Sequence, residues 1–238
     1  MATSPSKPSV ALLLPAAGLG TRMGTRKTLL GLAGKPLVIH TLERFLPFRD
    51  QIVQTILIVH PDDADALTER CGDELQARFA VTHVVPGGAT RQKSVRAGLG
   101  LVSTDADLVA IHDAVRPFVS SHAVAEAFEA AEQVGAAIVA TPVKPTVKRV
   151  ADGRIEATID RTKLWCAQTP QVFRRSLILE AIDAASREGL VVTDDAQLVE
   201  RLGHPVAIVP GSELNLKITT PQDLALAEAI LASGVLTQ

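Results

Sequence analysis

An alternation along the chain narrows the fold more than any other feature. Short aliphatic runs at Val10–Leu14, Ile52–His60, Val81–Val85, Leu108–His112, Ala136–Ala140 and Val206–Val209 are separated by longer stretches of helical periodicity. Those stretches lie near Pro36–Leu46, Asp62–Gln76, Arg91–Leu101, Ser121–Val134, Ser176–Arg187, Asp194–Arg201 and Pro221–Ala232. Apolar runs of strand length suit strands buried on both faces, and the helices between them are the crossovers that parallel neighbours require. The pattern predicts one α/β domain over residues 9–238 with a mainly parallel sheet, behind a polar tail at residues 1–8. Helix starts are expected at Thr193, at Ser120 or Ser121, and at Thr220, where Pro221 and Asp223 complete the signal.

Charge and aromatic content exclude several function classes. Lys and Arg number 24 against 26 Asp and Glu, a formal charge of −2, so no broad basic field exists for nucleic acid or anionic lipid. Aromatic residues are 3% of the chain and tyrosine is absent, which starves a base-stacking platform. The run Val10–Leu14 is far short of the roughly 20 residues that span a bilayer. Neither nucleic acid nor membrane is therefore an expected partner. Cys71 and Cys166 form no CxxC pair, no HExxH is present, and both cysteines are expected to be reduced and buried, as in a cytoplasmic protein.

One segment breaks the alternation. From Val143 to Ile159 two β-branched runs flank Asp152-Gly153, a strong hairpin signal, with faces that read as polar and basic. Such a hairpin is either a surface feature or an arm, about 143–160, reaching over a site or onto a partner subunit.

Polar clusters gather where strands end, the place where open α/β sheets bind ligands. The first run leads into PAAGLGTRMGTRK at residues 15–27. Its glycines let backbone approach phosphate, and Arg22, Arg26 and Lys27 add local charge; a simple turn with solvated arginines is the alternative. The dinucleotide fingerprint fails at Met23, which disfavours a nicotinamide dehydrogenase, and the P-loop fails at Leu29 and Pro36. Asp113 and Arg116 follow the fourth run, where the carboxylate suits Mg²⁺ shared with substrate phosphate or else pairs with Arg116 as a cap. His112 reads as a buried histidine without chemistry. Gly87, Gly88 and Ser94 follow the third run and could read a heterocycle or cap a helix. Lys217, between Leu216 and Ile218, either presents its ammonium to a site or snorkels to the surface. With no GxSxG elbow, these parts suit metal-assisted phosphoryl or nucleotidyl transfer.

The segments LLLPAAGLGTRMGTRK (12–27), GGATRQKSVRAGL (87–99), HDAVRP (112–117), DRTKLWCAQTPQ (160–171), TDDA (193–196) and LKITTPQDLALAE (216–228) occur in series. Together they resemble the 2-C-methyl-D-erythritol 4-phosphate cytidylyltransferase family. The resemblance implies a GT-A-like, Rossmann-like three-layer α/β/α fold whose protruding β-arm builds a homodimer. It implies an enzyme that joins CTP and 2-C-methyl-D-erythritol 4-phosphate with Mg²⁺, releasing pyrophosphate, in the non-mevalonate route to isoprenoids. It further implies that Ala16, Ala17 and Gly18 line the CTP phosphates and that Arg22, Lys27 and Lys217 neutralise them. Gly88 and Ser94 would read cytosine, Asp113 would hold Mg²⁺ or a substrate hydroxyl, and Arg116 and Thr169 would hold the polyol phosphate. Thr146 and Arg161 would enter from the neighbouring subunit's arm. The chain departs from the family's usual pattern at Arg26-Lys27-Thr28-Leu29, at Ala89 and at Pro145. These departures keep another polyol phosphate, such as ribitol 5-phosphate, and a non-catalytic nucleotide-binding protein as alternatives.

Overall fold

The computed structural model describes residues 7–18 and 30–237. Strands β1 (Val10–Pro15), β4 (Ile52–Val59), β5 (Val81–Pro86), β6 (Leu108–Ile111), β7 (Ala136–Pro142), β10 (Trp165–Arg174) and β11 (Ala207–Pro210) form one sheet. Two short strands, β2 (Gly31–Leu32) and β3 (Lys35–Pro36), pair separately, as do β8 (Val147–Ala151) and β9 (Arg154–Ile159). The large sheet has the order β11-β7-β10-β6-β1-β4-β5. Every pairing in it is parallel except those of β10, which runs antiparallel to both β6 and β7.

β1 shows why the sheet is covered on both faces. Val10, Leu12 and Leu14 point into one apolar cluster while Ala11 and Leu13 point into another, and all five are buried. The first cluster packs against α1 (Leu37–Glu43), α2 (Ala64–Phe79) and α4 (Ser121–Val134) through residues such as Ile39, Leu75 and Phe128. The second packs against α3 (Arg91–Leu99), α5 (Arg175–Glu188) and α6 (Ala196–Arg201) through Val95, Ile178 and Val199. A third, smaller cluster joins α7 (Pro221–Ser233) to Val115, Phe118 and Ile218. The expected three-layer α/β/α architecture is the one observed.

Local chemistry sets the ends of these elements. Ser120 caps α4, its Oγ accepting from the Ala123 N–H at 3.2 Å. Thr220 and Asp223 form a full capping box at α7, with Pro221 at the first position. The expected start at Thr193 is not observed: α6 begins at Ala196, and the Thr193 N–H is taken instead by Gln197 Oε1 at 3.1 Å. β10 has no counterpart among the aliphatic runs, because buried Gln168, Thr169 and Gln171 interrupt its apolar pattern.

The hairpin forms where Asp-Gly foretold it. Asp152 and Gly153 have φ of 50° and 73°, the doubly positive geometry of the tightest hairpin turn, joining β8 to β9. One expectation is corrected here: the faces are not wholly polar, since Val150 and Ile155 pair across the strands and are 55% and 65% exposed. A second correction concerns the cysteines, of which Cys71 is buried but Cys166 is exposed on β10. Among the described residues no helix is long and apolar enough to cross a membrane.

Candidate active site

Where β1, β4, β5 and β6 end at their carboxyl edges, the chain leaves a cavity of about 630 Å³. Ala16, Ala17 and Gly18 form one wall, and His60 and Pro61 stand beside them. The loop after β5 lines the cavity from Gly87 to Arg91, joined by Ser94, while Asp113, Lys217 and Thr219 complete the polar lining. The loops are placed by continuing the sheet's own bonding past the strands. The Ala16 N–H donates to Ile58 O at 2.6 Å, and the Gly87 N–H to Val59 O at 2.7 Å.

The loop after β5 is tied to itself by Ser94. Its hydroxyl accepts from the Gly88 N–H at 3.1 Å and donates to Thr90 O at 3.0 Å. Thr90 in turn caps α3, accepting from the Lys93 N–H. Position 87 requires glycine, since a Cβ there would collide with the Ala17 side chain and stand 2.7 Å from Ser94 Oγ. These residues therefore form a tightly packed wall with bare backbone at Gly87 and Gly88.

Asp113 is the electrostatic centre. Its side chain is 7% exposed and faces three cations: Lys217 Nζ at 2.9 Å and Arg116 Nε at 3.2 Å on Oδ2, and Arg91 Nε at 3.5 Å on Oδ1. Burial opposes ionisation, but the three cations, Lys217 foremost among them, hold the carboxyl well below the usual carboxylate range. The backbone of Asp113 is fixed as well, its N–H donating to Thr169 Oγ1 at 3.1 Å. Next to it His112 is fully buried, with Nε2 3.0 Å from Arg116 O and the ring edge-on to Phe45. Burial pushes its pKa down to about 4, so it is neutral near pH 7, and its contacts are structural as expected.

β10 supplies the support for this cluster. Its pairing with β7 shifts between Ala167 and Gln171, which frees the polar groups between them. Asn215 Nδ2 donates to Gln168 Oε1 and Thr169 O, both at 3.0 Å, and Gln168 Nε2 donates to Ser212 O at 2.9 Å. Arg116 Nη1 donates to Asn215 O at 2.7 Å. The segment carrying Lys217 is thus pinned to β10 on one side, and to Val115 O through the Ile218 N–H on the other.

Ala16, Ala17, Gly18, Gly88, Ser94, Asp113 and Lys217, all expected in the site, line the one cavity. Arg116 and Thr169 join it through Asp113 and do not line it themselves. Thr146 and Arg161 are exposed at the root of the hairpin, away from the cavity lining. Arg22, Arg26 and Lys27 lie outside the described residues. Sequence reasoning assigned no role to Arg91, Asp195, Gln168 or Asn215, although the first three fall within the segments quoted above and Asn215 lies just before the last of them. A buried polar residue carries no apolar period, so only its neighbourhood in a motif could have marked it.

The profile of the 2-C-methyl-D-erythritol 4-phosphate cytidylyltransferase family matches residues 10–233. The chain belongs to this family. It is 45% identical over 231 residues to the family member from Syntrophus aciditrophicus, covering 94% of this chain and 97% of that one. Identity to the member from Geobacillus kaustophilus is 46% over 224 residues, with coverage of 92% and 95%. Among solved structures, the 4-diphosphocytidyl-2C-methyl-D-erythritol synthase of Anaerococcus prevotii superposes with a TM-score of 0.81 at 29% identity, covering 95% of this chain and all (100%) of that one. The 2-C-methyl-D-erythritol 4-phosphate cytidylyltransferase of Thermus thermophilus gives 0.76 at 38% identity, with the same coverage.

Proposed function

We propose that this chain transfers the cytidylyl group of CTP to 2-C-methyl-D-erythritol 4-phosphate, releasing pyrophosphate, and thereby serves isoprenoid precursor synthesis. The observation that carries the reading is the cavity at the strand ends, walled by bare backbone on one side and by the Asp113–Lys217 pair on the other, in a chain that matches the family from 10 to 233. A phosphate oxygen of the polyol attacks the α-phosphorus of CTP in line, the new P–O bond forms as the Pα–O bond to the β-phosphate breaks, and pyrophosphate leaves. Negative charge accumulates on the phosphoryl oxygens, and the protein's task is to meet it with fixed positive charge. Lys217 meets that charge from a position set by Asp113 at 2.9 Å. Arg22 and Lys27, by family resemblance, act from the sequence that follows Gly18, with the backbone of Ala16, Ala17 and Gly18 along the phosphates. Gly88, its loop braced by Ser94, faces the cytosine, while Arg116 and Thr169 steady the polyol-phosphate side through Asp113.

Mg²⁺ fits as an ion that arrives with the triphosphate. No group of three or more His, Cys, Asp or Glu side chains among the described residues could hold a metal alone, yet Asp113 offers one ionised carboxylate on the cavity wall, a donor set Mg²⁺ completes with phosphate oxygens. When bound there, the ion would neutralise phosphate charge and fix the triphosphate's shape.

The active assembly in this reading is a homodimer built through the β8–β9 arm, in the cytoplasm. Its support is the arm's separate two-stranded sheet, its exposed Val150–Ile155 pair, and exposed Trp165 nearby in sequence. Thr146 and Arg161 at the arm's root would reach the partner's cavity. Purified protein incubated with CTP, Mg²⁺ and methylerythritol phosphate is expected to release pyrophosphate. Release with ribitol 5-phosphate alone would move the acceptor, and no release with any polyol phosphate would overturn the reading.

A further inference from the structure

One pair of charges in the site has no part in the mechanism above. Arg91, the first residue of α3, has Nη2 2.8 Å from Asp195 Oδ2 and Nε 3.5 Å from Asp113 Oδ1. Its side chain is 30% exposed and lines the cavity, whereas the Asp195 side chain is 1% exposed and does not. Asp195 is itself held rigidly: its N–H and that of Ala196 both donate to Gln171 Oε1 at 3.0 Å, while Gln171 Nε2 donates to Asp194 Oδ2. A carboxylate buried this deeply is costly: burial pushes the Asp195 carboxyl above its ordinary range, and Arg91, 2.8 Å away, is the cation that opposes this and favours the charged form.

We propose that Asp195 and Arg91 are positioning residues for the transfer reaction: Asp195 anchors the Arg91 guanidinium, which confines it to Asp113 Oδ1 and leaves Oδ2, shared with Arg116, to orient Lys217. The charges run in order Asp195, Arg91, Asp113, Lys217, linking the start of α6 to the cavity through ion pairs alone. Without the Asp195 charge, Arg91 keeps only Asp113 as an anionic partner. It then competes with Lys217 for that carboxylate, and the ammonium loses its fixed place. The inference rests on the cytidylyl-transfer reading, because it assigns Lys217 the role of meeting phosphate charge.

The test compares Asp195→Asn, Arg91→Lys and Lys217→Ala with the unaltered chain. Asp195→Asn should lower kcat about tenfold, with KM for CTP and polyol phosphate changing less than twofold. Added to Lys217→Ala, measured by single turnover with excess enzyme, it should cost less than a further twofold, since its effect passes through Lys217. Should Asp195→Asn not fold, Arg91→Lys, which keeps the charge but cannot bridge two carboxylates with one planar fork, should show the same non-additivity. Equal losses with and without Lys217 would overturn the proposal, as would an unchanged kcat. A readout independent of turnover separates this proposal from the function itself. Acetic anhydride labelling of Lys217, followed by mass spectrometry, should quicken at least twofold in Asp195→Asn, and unchanged labelling would count against the relay. Labelling that quickens in a protein that releases no pyrophosphate would overturn the assigned function and leave the relay standing.

Discussion

The floor of the cavity and the β8–β9 arm both carry charged residues, yet they use them in opposite ways. On and beneath the floor, Asp113 and Asp195 are 7% and 1% exposed, and Arg116, one of the cations on Asp113, is held in turn by the carbonyl of Asn215, whose side chain is bonded to Gln168. On the arm, Arg149 and Glu156 form a 3.2 Å pair while 65% and 49% exposed, and Lys148 reaches Thr158 on the neighbouring strand. Coulomb attraction at such distances is severalfold stronger where water is excluded, and removing one partner there strands the others. Exposed pairs are worth only about 0–1 kcal/mol. The floor is thus a finished device within one chain, while the arm's exposed apolar pair is unfinished until something covers it.

The comparison can be tested from its strongest term downward. Lys217→Ala should lower kcat by about 10²–10³, the loss seen when one fixed donor to a developing oxyanion is removed. The same change takes the nearest cation from a buried carboxylate, so the melting temperature should fall, by an amount that Arg116 and Arg91, still on Asp113, keep small. Turnover within a factor of two of the parent chain would remove the floor from the mechanism.

His112 gives the next largest effect, and its sign follows from burial. Its folded pKa, about 4, lies below the ordinary value of about 6.5, so between those limits the unfolded chain binds the proton and the folded chain does not. Stability contributed by the neutral ring is complete above pH 6.5 and is lost as the pH falls toward 4, by about 3 kcal/mol in all. Asp113, depressed in the same direction, adds its own loss below the ordinary carboxylate range near pH 4. Denaturant melts between pH 7 and 3 check both, and His112→Asn should flatten the upper part of the slope.

A smaller change probes the wall opposite the charges. Gly87→Ala should destabilise by about 1–3 kcal/mol, because the added methyl meets Ala17 and Ser94, and should raise KM for CTP. On the arm, Ile155→Asp should abolish the proposed dimer in sedimentation while shifting the stability of the separated chain by less than about 0.5 kcal/mol. Mixed dimers of Arg161→Ala and Lys27→Ala chains should regain activity if the arm serves its partner. Arg149→Ala, last and least, should leave both assembly and turnover near those of the parent chain.

Much of this was legible in one dimension, and the exceptions have physical causes. Buried parallel strands announce themselves because both faces must be apolar, as β1 and β4 do. Turn and cap chemistry is equally local: Asp152-Gly153 and Thr220-Pro221 act on their own backbone. β10 did not show itself, since Gln168, Thr169 and Gln171 are buried for their hydrogen bonds rather than their apolar surface. Asp113, Arg116 and Lys217 could be singled out by type and by standing at run ends. That Arg91 and Asp195 belong with them could not, because nothing local distinguishes a solvated arginine from one half-buried against two carboxylates.

The sequence by itself therefore determined the layered α/β class, the hairpin and the family, all of which depend on periodicity, turn residues or motifs read along the chain. Tertiary structure alone decided which charges meet. Asp113 finds Arg91, Lys217 and, through Arg91, Asp195 only after the sheet has brought the ends of β5 and β6 and the segments around 195 and 217 to one edge. Ionic partnership depends on distance and exclusion of water, and those are properties of the packed chain rather than of residue order.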